Sequence, residues 1–300
     1  MKRSSYHWLA TLLTLLIAST ATASAPSDDT QPRGSSSPRW LIPAYANPCC
    51  DGGPALWSAV IAAAQTRPQQ IAVIVNPDSG PGASPIDPNY ISAGGQGPLV
   101  TLASTAAVLV GYIATDYGNR DINVVRAEMT RYSDAAYWRG TSVRLDGFFF
   151  DEMSNDLGDV GYYRQLRDHA RSLAAGNLLI GNPGIYTYGN SSGQTTYTAA
   201  DYGAVFDVLV LHEASDLAIN RDYEAPDWLG NANAAAVSFI AYGTPTAMRT
   251  RVAMSRMLAR NTQYLYVTDD TAANPYDQLP GFWSAQLGWL DELIFVDNFE

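Results

Sequence analysis

Eight short apolar runs, separated by longer stretches of helical pattern, constrain this chain more than any other feature. The runs occupy residues 40–44, 71–75, 108–112, 145–150, 178–180, 206–211, 237–242 and 264–267. Helical patterns fall at 54–64, 122–137, 157–174, 245–260 and 283–293. Strands that are apolar almost without a break are buried on both faces, which means a parallel sheet covered by helices. Eight such units predict an α/β chain folded as a (β/α)8 TIM barrel. A doubly wound open sheet is the competing architecture, because periodicity alone does not show closure. No glycine fingerprint for a dinucleotide follows the first strand.

In a barrel of this kind the chemistry lies at the C-terminal ends of the strands. Reading the residues just past each run gives Tyr45 after the first, Asn76 and Asp78 after the second, and Tyr112, Thr115 and Tyr117 around the third. The fourth ends in Asp151-Glu152, the fifth in Asn182-Pro183-Gly184, the sixth in His212-Glu213 and the eighth in Thr268-Asp269-Asp270. Carboxylates, amides and tyrosines therefore gather on one rim. A pair of carboxylates across a cleft is the apparatus of glycoside hydrolysis, and Glu213 with one of Asp151 and Glu152 could form it. Groups about 5–5.5 Å apart would fit retention, and about 6.5–9.5 Å inversion. The proton donor of such a pair must keep its proton near neutrality, so burial or the other acid should raise its pKa. Strand alternation keeps Asp151 and Glu152 from aiming at one atom unless the chain turns between them. The candidate substrate-binding set is Tyr45, Asn76, Asp78, Tyr112, Thr115, Tyr117, Asn182 and Asp269.

Plain structural roles compete for each of these residues. A strand-terminal Asp can cap a helix, and a buried Glu213 can pair with an arginine such as Arg120. Asn-Pro and Gly-rich segments are turn formers first. His212, one residue before Glu213, faces the other way and reads as packing.

Composition narrows the chemistry further. Lys2 is the only lysine, and the histidines are His7, His169 and His212. A secretory leader is expected over 1–23, with Lys2 and Arg3 as its charged end and Ala21-Thr22-Ala23 as a small-x-small cleavage site. Its removal takes the formal net charge from −11 to −13 and leaves no lysine and two histidines. Schiff-base and P-loop chemistry then lack their lysine, and a three-histidine zinc site lacks a ligand. No Gly-x-Ser-x-Gly elbow is present, and no Ca²⁺ loop spacing. No cofactor and no metal are expected. The negative charge argues against nucleic acid, and no apolar run reaches the length of a membrane anchor. A monomeric protein is expected, secreted to the periplasm or the outside. Residues 24–38, rich in Ser, Pro and Asp, read as a disordered spacer, and 39–300 as the barrel domain. The two cysteines, Cys49 and Cys50, are adjacent. Free thiols, a link to another molecule and a vicinal disulfide stiffening the loop are all open, although a bond between neighbours is far from relaxed geometry.

Taken in order, the segments 42–45 (Ile-Pro-Ala-Tyr), 73–82, 111–120, 146–152, 182–184 and the strand ending in Glu213 resemble the spherulin-4 (spherulation-specific family 4) proteins. The likeness covers nearly all of 40–290. It implies a (β/α)8 barrel and an endo-acting glycoside hydrolase for α-1,4-linked galactosamine or N-acetylgalactosamine exopolysaccharide. By position it implies Asp151 as nucleophile, Glu213 as general acid/base and Glu152 as a neighbouring acid that orients substrate or tunes the pair. The Cys49-Cys50-Asp51-Gly52-Gly53 segment departs from the family pattern. A non-catalytic carbohydrate-binding, cell-wall or spore-coat protein on the same barrel is the alternative.

Overall fold

The eight apolar runs pair in sequence order, each parallel to the next, and the eighth closes on the first. A computed structural model describes residues 37–91, 97–173, 176–185, 200–215, 235–260, 262–271 and 273–297. The expected leader, residues 24–36 of the expected spacer and the last three residues lie outside this set. The strands are β1 (Arg39–Ala44), β2 (Ile71–Val75), β3 (Val108–Ala114), β4 (Gly147–Asp151), β5 (Leu178–Gly181), β6 (Val208–Ser215), β7 (Ala236–Tyr242) and β8 (Thr262–Val267). The helices are α1 (Gly53–Thr66), α2 (Pro88–Ile91), α3 (Pro98–Ala103), α4 (Ile122–Ser133), α5 (Val160–Ser172), α6 (Ala200–Gly203), α7 (Ala247–Leu258) and α8 (Trp283–Asp297). The sheet is thus a closed (β/α)8 barrel, and the open-sheet alternative falls. None of the described helices is long and apolar enough to cross a membrane.

Two strands start later than their apolar runs, for one reason. Asp146 Oδ2 accepts the Leu109 N–H at 2.8 Å, and Asp207 Oδ2 accepts the Leu179 N–H at 2.9 Å. Each carboxylate takes a donor that a ladder carbonyl would otherwise use, so β4 begins at Gly147 and β6 at Val208. Helix α4 stops at Ser133, short of the expected 137. Asp134 leaves the helix in an extended conformation, and its side chain accepts the Ala136 N–H at 2.8 Å.

Register divides each strand into two faces. Tyr112 lies opposite Phe149, which lies opposite Ile180, which pairs across β6 with Val208; these point inward. Phe148 and Phe150 point outward, where Phe148 meets Tyr132 of α4 and Phe150 meets Phe206 at 5.8 Å. Both phenylalanines are fully enclosed. Phe150→Ala is therefore expected to destabilise the protein by about 3–5 kcal/mol, read as a lower urea midpoint at an unchanged slope.

Candidate active site

The fourth, fifth and sixth strands deliver three polar side chains to one point at the C-terminal mouth. Asp151 is the last residue of β4 and continues the inward face of Phe149. Asn182 follows β5 and is 5% exposed. Glu213 lies on β6, and alternation from Val208 and Val210 would aim it outward. A bulge between Val210 and His212 inserts one extra residue against β7, and this rephases the strand. Glu213 then pairs with inward Ile240, while His212 pairs with outward Phe239. Gly184, at φ +66°, makes the left-handed turn after Asn182 and accepts the Glu213 N–H at 3.0 Å.

One amide joins the two acids. Asn182 Nδ2 donates to Asp151 Oδ1 at 2.7 Å and to Glu213 Oε2 at 2.5 Å. A single nitrogen cannot bridge farther than its two bonds reach, so these oxygens lie within about 5 Å of each other. Asn182 is itself held, its Oδ1 accepting the Gly184 N–H at 3.1 Å and its own N–H donating to Phe150 O at 2.8 Å. The other Glu213 oxygen, Oε1, accepts the Tyr276 hydroxyl at 2.5 Å. The Tyr112 hydroxyl bonds Asp151. The ring of Tyr45 stands edge-on to both Tyr112 (5.5 Å) and Tyr276 (5.6 Å). Three phenols thus wall the acid pair.

Burial sets the electrostatics. It pushes the Asp151 carboxyl above the ordinary aspartate value, against hydrogen bonds from Tyr112, the Glu152 backbone and Asn182. Glu213 is raised as well, first by burial and then by the Asp151 charge, with Asn182 and Tyr276 opposing. This is the direction that general-acid work requires. His212, buried against Phe239, is pushed down to about 4 by burial and stays neutral at pH 7. Arg120 does not pair with Glu213: it holds Glu128 through two hydrogen bonds, at 2.9 and 2.6 Å, and donates to Ala114 O.

The remaining rim residues serve the backbone or are exposed. Thr115 is fully buried, and its hydroxyl donates to Asp151 O and Glu152 O, at 2.9 and 2.8 Å, beside the Tyr163 hydroxyl. Asn76 Oδ1 closes its own loop on the Gly80 N–H. Asp269 Oδ1 fastens the Gly281 N–H. Asp78 is exposed, and so is Tyr117, at 60%. Glu152 is exposed at φ +49°, so the chain does turn between the two neighbouring acids. Tyr276 is the site residue that the strand-end rule misses. It lies well past β8, and nothing local distinguishes it among 18 tyrosines. Among the described residues, no three His, Cys, Asp or Glu side chains gather as a metal site would need. Cys49 and Cys50 are joined in a vicinal disulfide on the β1–α1 loop.

The chain resembles known proteins along most of its length. It is 28% identical over 240 residues to Spherulin-4 of Physarum polycephalum, covering 77% of this chain and 63% of that one. The chain therefore spans less than two thirds of that relative. Its fold overlays that of Sph3 from Aspergillus clavatus, solved in complex with GalNAc, at a TM-score of 0.65 and 21% identity, covering 87% of this chain and 98% of the other. A xylanase and alpha-amylase inhibitor protein from Scadoxus multiflorus overlays at 0.49 and 13% identity, covering 86% and 98%. The pattern described as Spherulation-specific family 4 runs through all eight strands, from residue 39 to 289, and the chain belongs to that family.

Proposed function

We propose that the protein is an exported glycoside hydrolase that cuts α-1,4-linked galactosamine or N-acetylgalactosamine polymers internally and with retention. The observation that carries this reading is the Asn182 bridge, which sets the nearest oxygens of Asp151 and Glu213 within about 5 Å. A bound of that size favours a nucleophile and an acid/base over the wider pair of an inverting enzyme. Asp151, the less raised by charge, attacks the anomeric carbon while Glu213 protonates the leaving oxygen. Glu213 then deprotonates the water that releases the sugar. The GalNAc complex of Sph3 supports an amino-sugar substrate. The excess of acidic residues suits a partly deacetylated, cationic polymer, which a negative cleft would concentrate.

Digestion of defined α-1,4 galactosamine oligomers tests the reading, with products followed by mass and the first-formed anomer by NMR. Internal cuts and an α-anomer are expected. Binding without cleavage of any amino-sugar polymer would instead assign a carbohydrate-binding protein. On deacetylated polymer, kcat/KM should fall as salt rises; an unchanged value removes the steering argument.

A further inference from the structure

The Cys49–Cys50 disulfide has no role in the hydrolytic scheme, yet it lies one loop away from the acid/base. Cys49 and Cys50 are exposed on the segment that leaves β1, just after Tyr45. The segment folds tightly on itself. Cys49 N donates to Asn47 Oδ1 at 3.1 Å, Cys50 N to Asn47 O at 3.2 Å, and Gly53 N to Cys50 O at 2.9 Å. Asn47 Nδ2 in turn holds Asp87 at 2.8 Å. The folded segment rests against the loop that carries Tyr276. A Cβ at Gly52 would stand 3.1 Å from Asp277 O and 3.8 Å from Gln278 Cβ. On the inner side Tyr45 N donates to Tyr276 O at 3.4 Å, and the two rings touch edge-on. The far end of the Tyr276 loop is fastened separately, by Gln278 to Asp270 and Gly281 to Asp269. On the side of Tyr276 itself the loop is held by Tyr45, by Asn274 Oδ1, which accepts the Tyr276 N–H at 3.2 Å, and by the close approach of the disulfide segment at Gly52.

We propose that Tyr276 is the positioning residue of Glu213, and that the Cys49–Cys50 segment is its brace, so that a dithiol reductant loosens the hold on the acid/base. This rests on the hydrolase reading for its kinetic consequence but not for its structural one. The Sγ–Sγ bond breaks, each sulfur gains one electron and one proton, and the reductant supplies both as it closes to a cyclic disulfide. Tyr276 acts through one hydrogen bond. With Glu213 ionised the phenol donates to Oε1. With Glu213 protonated the same phenol faces a neutral carboxyl, and its bond is the weaker one, so Tyr276 favours the ionised form. Among the described residues, the titratable groups facing Glu213 are Asp151, Tyr276, Tyr45 and Tyr112. Of these, Tyr276 is the one that donates to its carboxylate.

Tyr276→Phe removes that donor and the stabilisation of the ionised form. Its expected signature is a 10- to 100-fold loss of kcat at nearly constant KM, with the alkaline limb of the pH profile moved to higher pH. Three further samples test the brace: wild type reduced by dithiothreitol, Cys49→Ser/Cys50→Ser, and Gly52→Val. The last has a backbone conformation open to any residue (φ −74°) but would press on Asp277. All three should speed hydrogen exchange in 273–281 and reproduce, in weaker form, the Tyr276→Phe kinetics. Reoxidation of the reduced wild type should reverse both changes. The brace is overturned if exchange in 273–281 is unchanged by reduction, or if it rises evenly over the whole barrel. The positioning role is overturned if the alkaline limb of Tyr276→Phe coincides with that of wild type. Should wild type turn over no substrate, the hydrolase reading fails while the exchange result still decides the brace.

Discussion

Asp151→Asn is expected to lower kcat about 10⁴-fold or more, and Glu213→Gln about 10²- to 10⁴-fold, each with a higher melting temperature than wild type. The kinetic losses follow from roles that an amide cannot fill. An amide in place of Asp151 has no ionised oxygen to attack the anomeric carbon, and one in place of Glu213 has no acidic proton to give. Neither change should disturb the fold, because each amide keeps a carbonyl oxygen to accept the Asn182 N–H. The stability gain has a definite sign. Burial raises both carboxyls above their ordinary values, so the folded protein holds these protons more tightly than the unfolded chain. Below about pH 4 both states are protonated and the groups contribute no difference. As pH rises, the unfolded chain ionises first and stability is lost, until the pH passes the folded-state values. The melting gap between variant and wild type should therefore open between about pH 4 and neutrality and then level off. Thermal melts across that range, beside assays on a defined oligomer, measure both effects. A variant that loses turnover and also melts lower would show that these acids serve the fold.

The barrel was legible because burial on both faces leaves a mark in the sequence. Runs such as 71–75 and 145–150 are apolar without alternation, and their count gave the topology. Asp151 was legible by the same logic, since it closes an inward face that Phe149 already marks. Glu213 was legible in position but not in direction. Plain alternation from Val208 turns it toward the helices, and only the bulge beside Leu211 returns it to the mouth. Nothing in Val-Leu-Val-Leu-His-Glu announces a bulge, because any of these residues can occupy one. Tyr276 was not legible, because its place depends on contacts of a loop with Gly52, Asp269 and Asp270 that are far away in the chain. Thr115, Asn76 and Asp269 lie where the rim rule put them, yet their side chains hold backbone groups. The rule locates a residue on the rim; whether the side chain faces ligand or loop is decided by the nearest unsatisfied N–H or C=O.

Asn182→Asp tests whether the bridge, rather than mere proximity of two acids, makes the site. The substitution is almost isosteric, so packing is kept, but it exchanges a two-handed donor for a group that can only accept when ionised. The new carboxylate would face Asp151 Oδ1 and Glu213 Oε2 at hydrogen-bond distance. Three carboxyl groups so close cannot all ionise, and protons must be shared among them. Asp151 then loses its charge over part of the working range, and the proton of Glu213 is diverted to a neighbour instead of the leaving oxygen. A loss of about 10³-fold in kcat follows from removing both protonation states together. Optimum pH should move upward, because ionising Asp151 now requires overcoming an additional like charge. The sign for stability is opposite to that of Asp151→Asn. With three raised carboxyls in place of two, Asn182→Asp should match wild type near pH ~4 and melt progressively lower toward neutrality. Asn182→Ala separates the two ideas. It removes the donor without adding charge, so its activity should fall less; both acids lose a bond that holds their pKa values down, so its melting curve should fall more steeply with pH than that of wild type but less than that of Asn182→Asp. If Asn182→Asp and Asn182→Ala behave alike in both measurements, the amide merely fills space between the acids; a difference in the stated direction assigns it the task of keeping one acid charged and the other protonated.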